Sequence, residues 1–341
     1  MSNYTPLNEV GEFGLIRMIK EKIELRNDST IKGIGDDAAV LEPKQKQVVV
    51  SSDMLLEGVH FDLTFCPLKH LGYKAVAVNV SDIAAMNATP TQITVNIAVG
   101  ARFTVEAIEE LYEGIRLACE AYKVDLVGGD TTSSSAGLVI SVTAIGETTE
   151  DQVVYRSGAK VNDLVCVTGD LGAAYMGLQI LEREKQAFLA NPDMQPELED
   201  KQYIVGRQLR PEARMDVIYD LRERGIKPTA MIDVSDGLAS ELFHICSQSK
   251  VGAVVYKDNL PADSQMLETA VEFNLDPLTA IMNGGEDYEL LFTVPLSAYD
   301  ELRNHPDITI IGNITEESEG VNIATKSGQV FPLKAQGWSH F

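Results

Sequence analysis

The chain has 341 residues, more than one hydrophobic core usually organises, so two domains are expected. It is 45% hydrophobic and 23% charged, the mix of a globular protein and not of a disordered one. With 28 Lys and Arg against 51 Asp and Glu the net charge is −23, a field that repels nucleic acid, anionic membranes and phosphates alike, unless metal ions reverse the local sign.

The opening segment MSNYTPLNEVGEFGL has no basic stretch followed by an apolar one, so no secretory leader is visible. No apolar run approaches the roughly 18 residues that span a bilayer, and no membrane partner is expected. Residues 9–26 read as a helix and 46–52 as a strand. Residues 68–87 read as a long helix with Leu71, Ala75, Val78 and Ile83 on one face. A half-buried strand follows at 91–99, then a helix at 104–122 opened by Thr104. Strands at 124–128 and 137–146 flank the turn-like DTTSSSAG. The polar, turn-rich stretch 147–160 marks a boundary, which divides the chain into domains 1–150 and 151–341.

The second half alternates in the same way. Helices are expected at 172–185, 211–224, 236–249, 263–273 and 297–303, and strands at 163–169, 229–233, 252–256, 288–294, 307–312 and 320–324. Segment 183–203 is charged and irregular, and reads as a surface excursion. Both halves are therefore α/β or α+β. The cysteines, Cys66, Cys119, Cys166 and Cys246, are far apart and form no CxxC, which argues against zinc and disulfides and for a cytoplasmic setting.

The chemistry-bearing residues are aspartates. Asp53 ends the run VVVSSD and Asp130 ends DLVGGD. Asp233 and Asp236 sit at a strand-to-helix junction, MIDVSDGL, and Asp36 and Asp37 in GIGDDAAV. Strand ends in α/β folds converge on a crevice, so carboxylates spread along the chain can meet there. Asp82 lies in a helix that is apolar nearly all round, and such a helix is buried. A buried carboxylate needs a partner. Asn79 and Ser81 offer a hydrogen-bond network; a metal ion is the stronger reading. Oxygen-only ligand sets, with Ser51 and Ser52 beside Asp53, suit Mg²⁺, Mn²⁺ or Ca²⁺ and not Zn²⁺. Mg²⁺ completes its octahedron with water and phosphate, which points to nucleotide chemistry. No Walker loop, dinucleotide fingerprint or protein-kinase motif is present. The pairs Gly128-Gly129 and Gly284-Gly285 are either plain turns or donors of backbone amides to phosphate.

The series GIGDDAAV, SSDMLLEGVHF, NVSDIAAMNATP, GGDTT, YRSGAK, DVSDGL and GGEDYELLF runs in order along nearly the whole chain. It resembles thiamine-monophosphate kinase, a family within the aminoimidazole ribonucleotide synthetase-like ATP enzymes. EGVHF and GGEDYELLF carry the resemblance most specifically. It implies ATP-dependent phosphorylation of thiamine phosphate to thiamine diphosphate, the last step of that biosynthesis. It implies a homodimer in which the mixed N-terminal sheet pairs across the interface. It also implies a C-terminal α/β domain, its sheet flanked by helices, that completes the nucleotide and substrate site.

By the same resemblance Asp37, Ser51, Ser52, Asp53, Asp82, Asp130, Asp233 and Asp236 match metal-binding positions. Tyr112, Gly129, Asp130, Arg156 and Ser235 match nucleotide contacts, and His60, Glu286 and Trp338 substrate contacts. Taken singly, Arg156 also fits a surface ion pair, His60 a satisfied polar group and Trp338 a packing residue. Asn87 stands where the family usually has Gly, and Ser52 where Thr is common. Adjacent side chains on an extended segment face opposite ways, so Asp37 is the expected ligand; Asp36 orients the turn or reaches a second ion through water.

Two alternatives remain at this level. One is another ATP-using synthetase of the same superfamily. The selenophosphate-forming type wants a reactive cysteine in an N-terminal Gly-rich loop, whereas the first here is Cys66; the hydrogenase-maturation type wants cysteines where this chain reads SHF. The other is a non-catalytic nucleotide or divalent-cation sensor.

Overall fold

The computed structural model describes residues 7–34, 40–44, 47–193, 195–196 and 198–334. The chain forms two compact units: Met1–Ile83 with Ala88–Asp151, and Ala84–Asn87 with Gln152–Phe341. Asp36, Asp37 and Trp338 lie outside the described residues.

The first unit begins with α1 (Leu7–Glu21) and the small antiparallel pair β1 (Thr30–Lys32) and β2 (Val40–Leu41). Then come β3 (Gln47–Leu56), α2 (Leu68–Ala85), β4 (Thr89–Val99), α3 (Val105–Tyr122), β5 (Asp125–Ser133) and β6 (Val139–Thr148). The sheet runs β3-β6-β4-β5, parallel only between β4 and β5. Its two-residue alternation splits it into two faces. Ile93, Val95 and Ile97 of β4, with Ile140 and Val142 of β6, are buried on one face. Val48, Val50 and Met54 of β3 are exposed on the other, Val50 at 61%.

The expectation that the helix around Asp82 is buried holds, since every residue from Leu71 to Ser81 is buried. α2 and α3 touch backbone to backbone. A Cβ on Gly72 would sit 2.0 Å from the Leu111 carbonyl oxygen, and one on Gly114 1.9 Å from that of Lys69. Because backbone cannot step aside as a side chain can, Gly114→Ala should cost about 1–3 kcal/mol. Urea unfolding checks it; an unchanged midpoint would mean that the helices slide apart freely.

The second unit contains β7 (Leu164–Thr168), α4 (Ala173–Ala190), α5 (Gln202–Leu209), α6 (Met215–Glu223), β8 (Ala230–Asp233), α7 (Leu238–Ser249) and β9 (Gly252–Tyr256). It continues with α8 (Ser264–Glu272), α9 (Pro277–Asn283), β10 (Leu290–Val294), α10 (Tyr299–Leu302), β11 (Ile308–Thr315), β12 (Val321–Ala324) and β13 (Val330–Pro332). Seven strands form one sheet in the order β13-β12-β9-β11-β7-β10-β8. Val165, Val167, Ile232 and Leu291 of this sheet pack with Met176, Ile180, Leu242 and Ile245 of α4 and α7 in one apolar cluster. Asn87, in the short piece that belongs with this unit, has φ 50, a left-handed conformation that Gly adopts freely and Asn tolerates. Arg222 holds it through both the Asn87 side-chain and backbone oxygens, at 3.0 and 2.7 Å.

The structure corrects several expectations. β3 runs on to Leu56 and β5 to Ser133, so Asp53 and Asp130 stand inside strands and not at their ends. The stretch 183–203 is not irregular throughout: α4 extends to Ala190 and α5 starts at Gln202. A charged helical face needs no apolar partner, so it leaves a weak periodic signal. The expected helix 297–303 is a 3₁₀ turn, Leu296–Ala298, followed by the four-residue α10. The pair β1 and β2, the helix α9 and the strand β13 were not foreseen.

Candidate active site

In the first unit three of the predicted residues meet. Ser51 and Asp53 stand two apart on β3, on the half-buried side of the strand, while Asp82 comes from the last turns of α2. The Ser51 hydroxyl donates to Asp82 Oδ2. Asp53 is pushed up to about 6, first by burial, then by the negative charge of neighbouring Asp82 and its readiness to accept a hydrogen bond from the protonated Asp53 carboxyl. Asn79 holds Asp53 in place from one α2 turn earlier: its Oδ1 accepts the Asp53 amide at 3.0 Å, and its Nδ2 donates to the Ala75 carbonyl at 3.0 Å. The Asn79 network expected as the bland partner for Asp82 therefore serves Asp53 instead.

Ser52 points elsewhere. Its hydroxyl is 3.0 Å from Thr143 Oγ1 and donates to the Val142 carbonyl at 3.1 Å, on the open face of the sheet. Its side chain does not join Ser51 and Asp53. The register aligns Asp53 with Val142, Val95 and Gly129, and Met54 with Ser141, Asn96 and Asp130. Alternation thus sets Asp130 on the open face, three strands from Asp53, or about 14 Å at the usual strand spacing. Gly129 has a packing reason of its own, because a Cβ there would lie 1.9 Å from the Val95 carbonyl oxygen. His60 closes the turn after β3, its Nδ1 accepting the Leu56 amide at 3.1 Å, so Nε2 carries the proton of the neutral ring. Tyr112 lines a cavity of about 300 Å³ between α1 and α3 with Leu15, Met18, Ile19 and Ile108. Among the described residues, none of the predicted metal ligands lines it.

In the second unit, Asp233 ends β8 and is buried, and Ser235 and Asp236 lie in the turn before α7. That turn is fastened on both sides. The Ser235 carbonyl accepts the Glu286 amide at 2.7 Å, and the Val234 carbonyl that of Tyr288 at 2.9 Å. A Cβ on Gly285 would meet the Ser235 carbonyl oxygen at 2.6 Å, so the GGED turn needs glycine there. Glu286 is held by Gln208 Nε2 at 2.7 Å. Arg156 is exposed, and its carbonyl accepts from Ser249 Oγ, which also takes the Gly158 and Ala159 amides.

Sequence reasoning missed the other acids here. Glu241, on α7, accepts the Asp236 amide at 2.8 Å and the Ser235 amide at 3.2 Å. Glu289 is buried and takes Arg207 at 2.7 Å and Arg214 at 2.8 Å. Asp287 accepts the Gly172 and Ala174 amides at the start of α4, at 2.8 and 3.4 Å. The argument that singled out Asp82, an acid among apolar neighbours, applies equally to Glu241 in LASELFHI and to the alternate acids of GGEDYELLF.

Burial pushes the Asp287 carboxyl up to about 7, against the opposing pull of Arg207 and the helix amides. Its native form therefore binds a proton that the unfolded chain has released. The corresponding stability is present below the ordinary Asp range and is lost as pH rises towards about 7. Asp287→Asn keeps an acceptor and buries no charge. Its stability should fall less between pH 4.5 and 7.5 than that of the wild type, by about 1–2 kcal/mol, in urea titrations at several pH values. Parallel curves for the two proteins would count against a buried, charged Asp287.

Ser51, Asp53 and Asp82 form an oxygen-only set with two mutually repelling carboxyls, and a hard divalent cation such as Mg²⁺ fits it. Among the described residues no three His, Cys, Asp or Glu side chains converge. An ion held here would therefore take its other ligands from water, backbone oxygens or a bound phosphate.

Residues 35–148 match the model of the AIR synthase related protein N-terminal domain, and residues 160–324 that of the C-terminal domain. A thiamine-monophosphate kinase of Aquifex aeolicus (strain VF5) is 35% identical over 98% of this chain and 99% of its own. One of Bacillus subtilis (strain 168) is 37% identical over 97% and 99%. Among solved structures, AaThiL complexed with AMPPCP and TMP superposes with a TM-score of 0.75 at 33% identity, covering 100% of both chains. The hydrogenase maturation protein HypE in complex with ATP has a TM-score of 0.73 over 95% of both chains; at 20% identity it shares the fold alone. Alike along nearly its whole length to these relatives, the chain belongs to the thiamine-monophosphate kinase family of the AIR synthase related proteins.

Proposed function

We propose that this protein transfers the γ-phosphoryl group of ATP to the phosphate of thiamine phosphate, giving thiamine diphosphate and ADP. The observation that carries this reading is the Ser51–Asp53–Asp82 oxygen cluster, in a chain 33% identical throughout to a protein held with AMPPCP and TMP. Both reactants are anionic, and bringing them together in a water-poor site costs several kcal/mol. Mg²⁺, when bound, supplies the charge neutralisation and alignment that phosphoryl transfer demands.

In this reading several Mg²⁺ ions are bound: Ser51, Asp53 and Asp82 hold one, and Asp37, Ser52, Asp130, Asp233 and Asp236 serve the others. Gly129, Arg156, Ser235 and Tyr112 contact the nucleotide. Arg156, which is exposed, does so as a fork of donors to phosphate. His60, Glu286 and Trp338 contact thiamine phosphate. A phosphate monoester has a second pKa of about 6 and is already ionised at neutral pH, so no general base is required. Transfer is in line and direct, without a phosphoenzyme.

The exposed apolar face of β3, with Val48, Val50 and Met54, supports pairing of two copies through this sheet as a homodimer. Four cysteines, all free and buried, support a reducing, cytoplasmic setting. No described helix is long and apolar enough to cross a membrane.

Purified protein incubated with ATP, Mg²⁺ and thiamine phosphate should yield ADP and thiamine diphosphate in equal amounts, and neither after EDTA. ATP consumption without thiamine diphosphate would instead favour a synthetase of the same superfamily. Nucleotide binding without turnover would favour a sensor.

A further inference from the structure

We infer that Glu241 is a positioning residue, which sets the Ser235 hydroxyl and the Asp236 carboxylate for bound Mg²⁺ and nucleotide. The inference rests on the roles proposed above for Ser235 and Asp236. Glu241 is 1% exposed, on the first turns of α7, beside Leu238, Leu242 and Ile245 of the core. A carboxylate in such surroundings is retained at a cost, and its bonds identify what it holds. Its Oε1 accepts the Asp236 amide at 2.8 Å, the Ser235 amide at 3.2 Å and the Ser235 hydroxyl at 3.5 Å.

These donors belong to the turn and not to the helix. The cap of α7 is Gly237, which offers no side-chain cap, and the Glu241 oxygen reaches past it to the two residues before. The opposite side of the same turn is clamped by the Glu286 amide on the Ser235 carbonyl, at 2.7 Å. Ser235 is thus held from both sides and Asp236 by Glu241, and Gly237 follows at φ 117, so close to its neighbours that a Cβ would lie 2.8 Å from Asn283 Cα. Without the Glu241 oxygen, two amides lose their acceptor and the turn gains freedom where its side chains have to meet a ligand.

The test uses the full-length protein and three substitutions. Glu241→Gln keeps an acceptor oxygen at the same reach; Glu241→Met fills the volume without one; Glu241→Ala removes both. Groups that orient metal ligands typically shift metal affinity or activity by about 10–100-fold. Glu241→Met and Glu241→Ala should therefore raise the Mg²⁺ concentration for half-maximal activity at least about tenfold and lower kcat, with KM for thiamine phosphate within about threefold of wild type. Glu241→Gln should restore both to within about threefold. Mg²⁺-dependent binding of AMPPCP, followed by calorimetry, should weaken in the same order.

A role in stability alone would lower Tm and leave the Mg²⁺ dependence of the folded protein unchanged. That result, or Glu241→Gln as impaired as Glu241→Met, overturns the inference. Should Glu241→Ala fail to fold, the Gln and Met pair decides. The binding measurement also separates the two readings. A wild type that binds Mg²⁺–AMPPCP without forming thiamine diphosphate sinks the kinase reaction, while the order of the variants still judges Glu241. A wild type that binds neither Mg²⁺ nor AMPPCP overturns both.

Discussion

Asp53→Asn is expected to reduce turnover of thiamine phosphate by at least about 10³-fold and to leave the protein folded and as stable as the wild type without metal. Asp53 lies on the half-buried side of β3, positioned by Asn79 and facing Asp82. Without a cation, two neighbouring carboxylates repel once both are ionised, and the substitution relieves that repulsion. With Mg²⁺ the balance reverses, because the pair is what attracts the ion. The wild type should therefore gain Tm on adding Mg²⁺ with a nucleotide, as any protein does when its native state binds a ligand. The variant should gain little. Turnover within tenfold of wild type, or an equal Mg²⁺ response, would remove Asp53 from the metal set.

Glu289→Ala should be strongly destabilising, costing about 3–5 kcal/mol, because it leaves buried arginines without their carboxylate. The Glu289 side chain is 1% exposed, and Arg207 and Arg214 reach it from α5 and from the residue before α6, at 14% and 11% exposed. The Thr168 hydroxyl donates to the same carboxylate. Three segments far apart in sequence thus converge on one acid at the start of β10. The Tm of the variant should fall by roughly 10 °C, a size-scaled value for this loss in a domain of this length. Glu289→Leu should do no better, since it removes the same charge from the same arginines. A loss below about 1 kcal/mol would mean that Asp216 and Asp307, which also approach Arg214, suffice without Glu289.

Much of this was legible locally. The period-two and period-3.6 patterns identified most strands and helices, because burial of one face imposes them on neighbouring residues. Asp82 betrayed itself as an acid on an all-apolar helix. The start of α9 was also on display, though unread: Asp276 caps the Leu278 amide at 3.0 Å and Pro277 takes the first turn. Charged segments such as 183–190 hid their helix because solvated faces place no apolar demand on the chain. The five bonds by which the buried Asp125 and Gln92 organise residues 26–30 left no such trace, since they join residues more than sixty positions apart.

The motif series, the oxygen-only character of the ligands and the family they belong to lie in the order of residues along the chain, and needed no coordinates. Which of those residues meet did not. Ser51 and Ser52 are equivalent as neighbours in a string; on β3 they face opposite ways, and only Ser51 reaches Asp82. Asp53 and Asp130 look alike at the ends of apolar runs, yet the register sets them on different faces of one sheet. Side-chain chemistry travels with each residue, whereas proximity is created by strand pairing, by helices that touch through Gly72 and Gly114, and by turns clamped from both sides. Those are long-range contacts, chosen by the packing of the whole unit, and they decide which of the aspartates can share an ion.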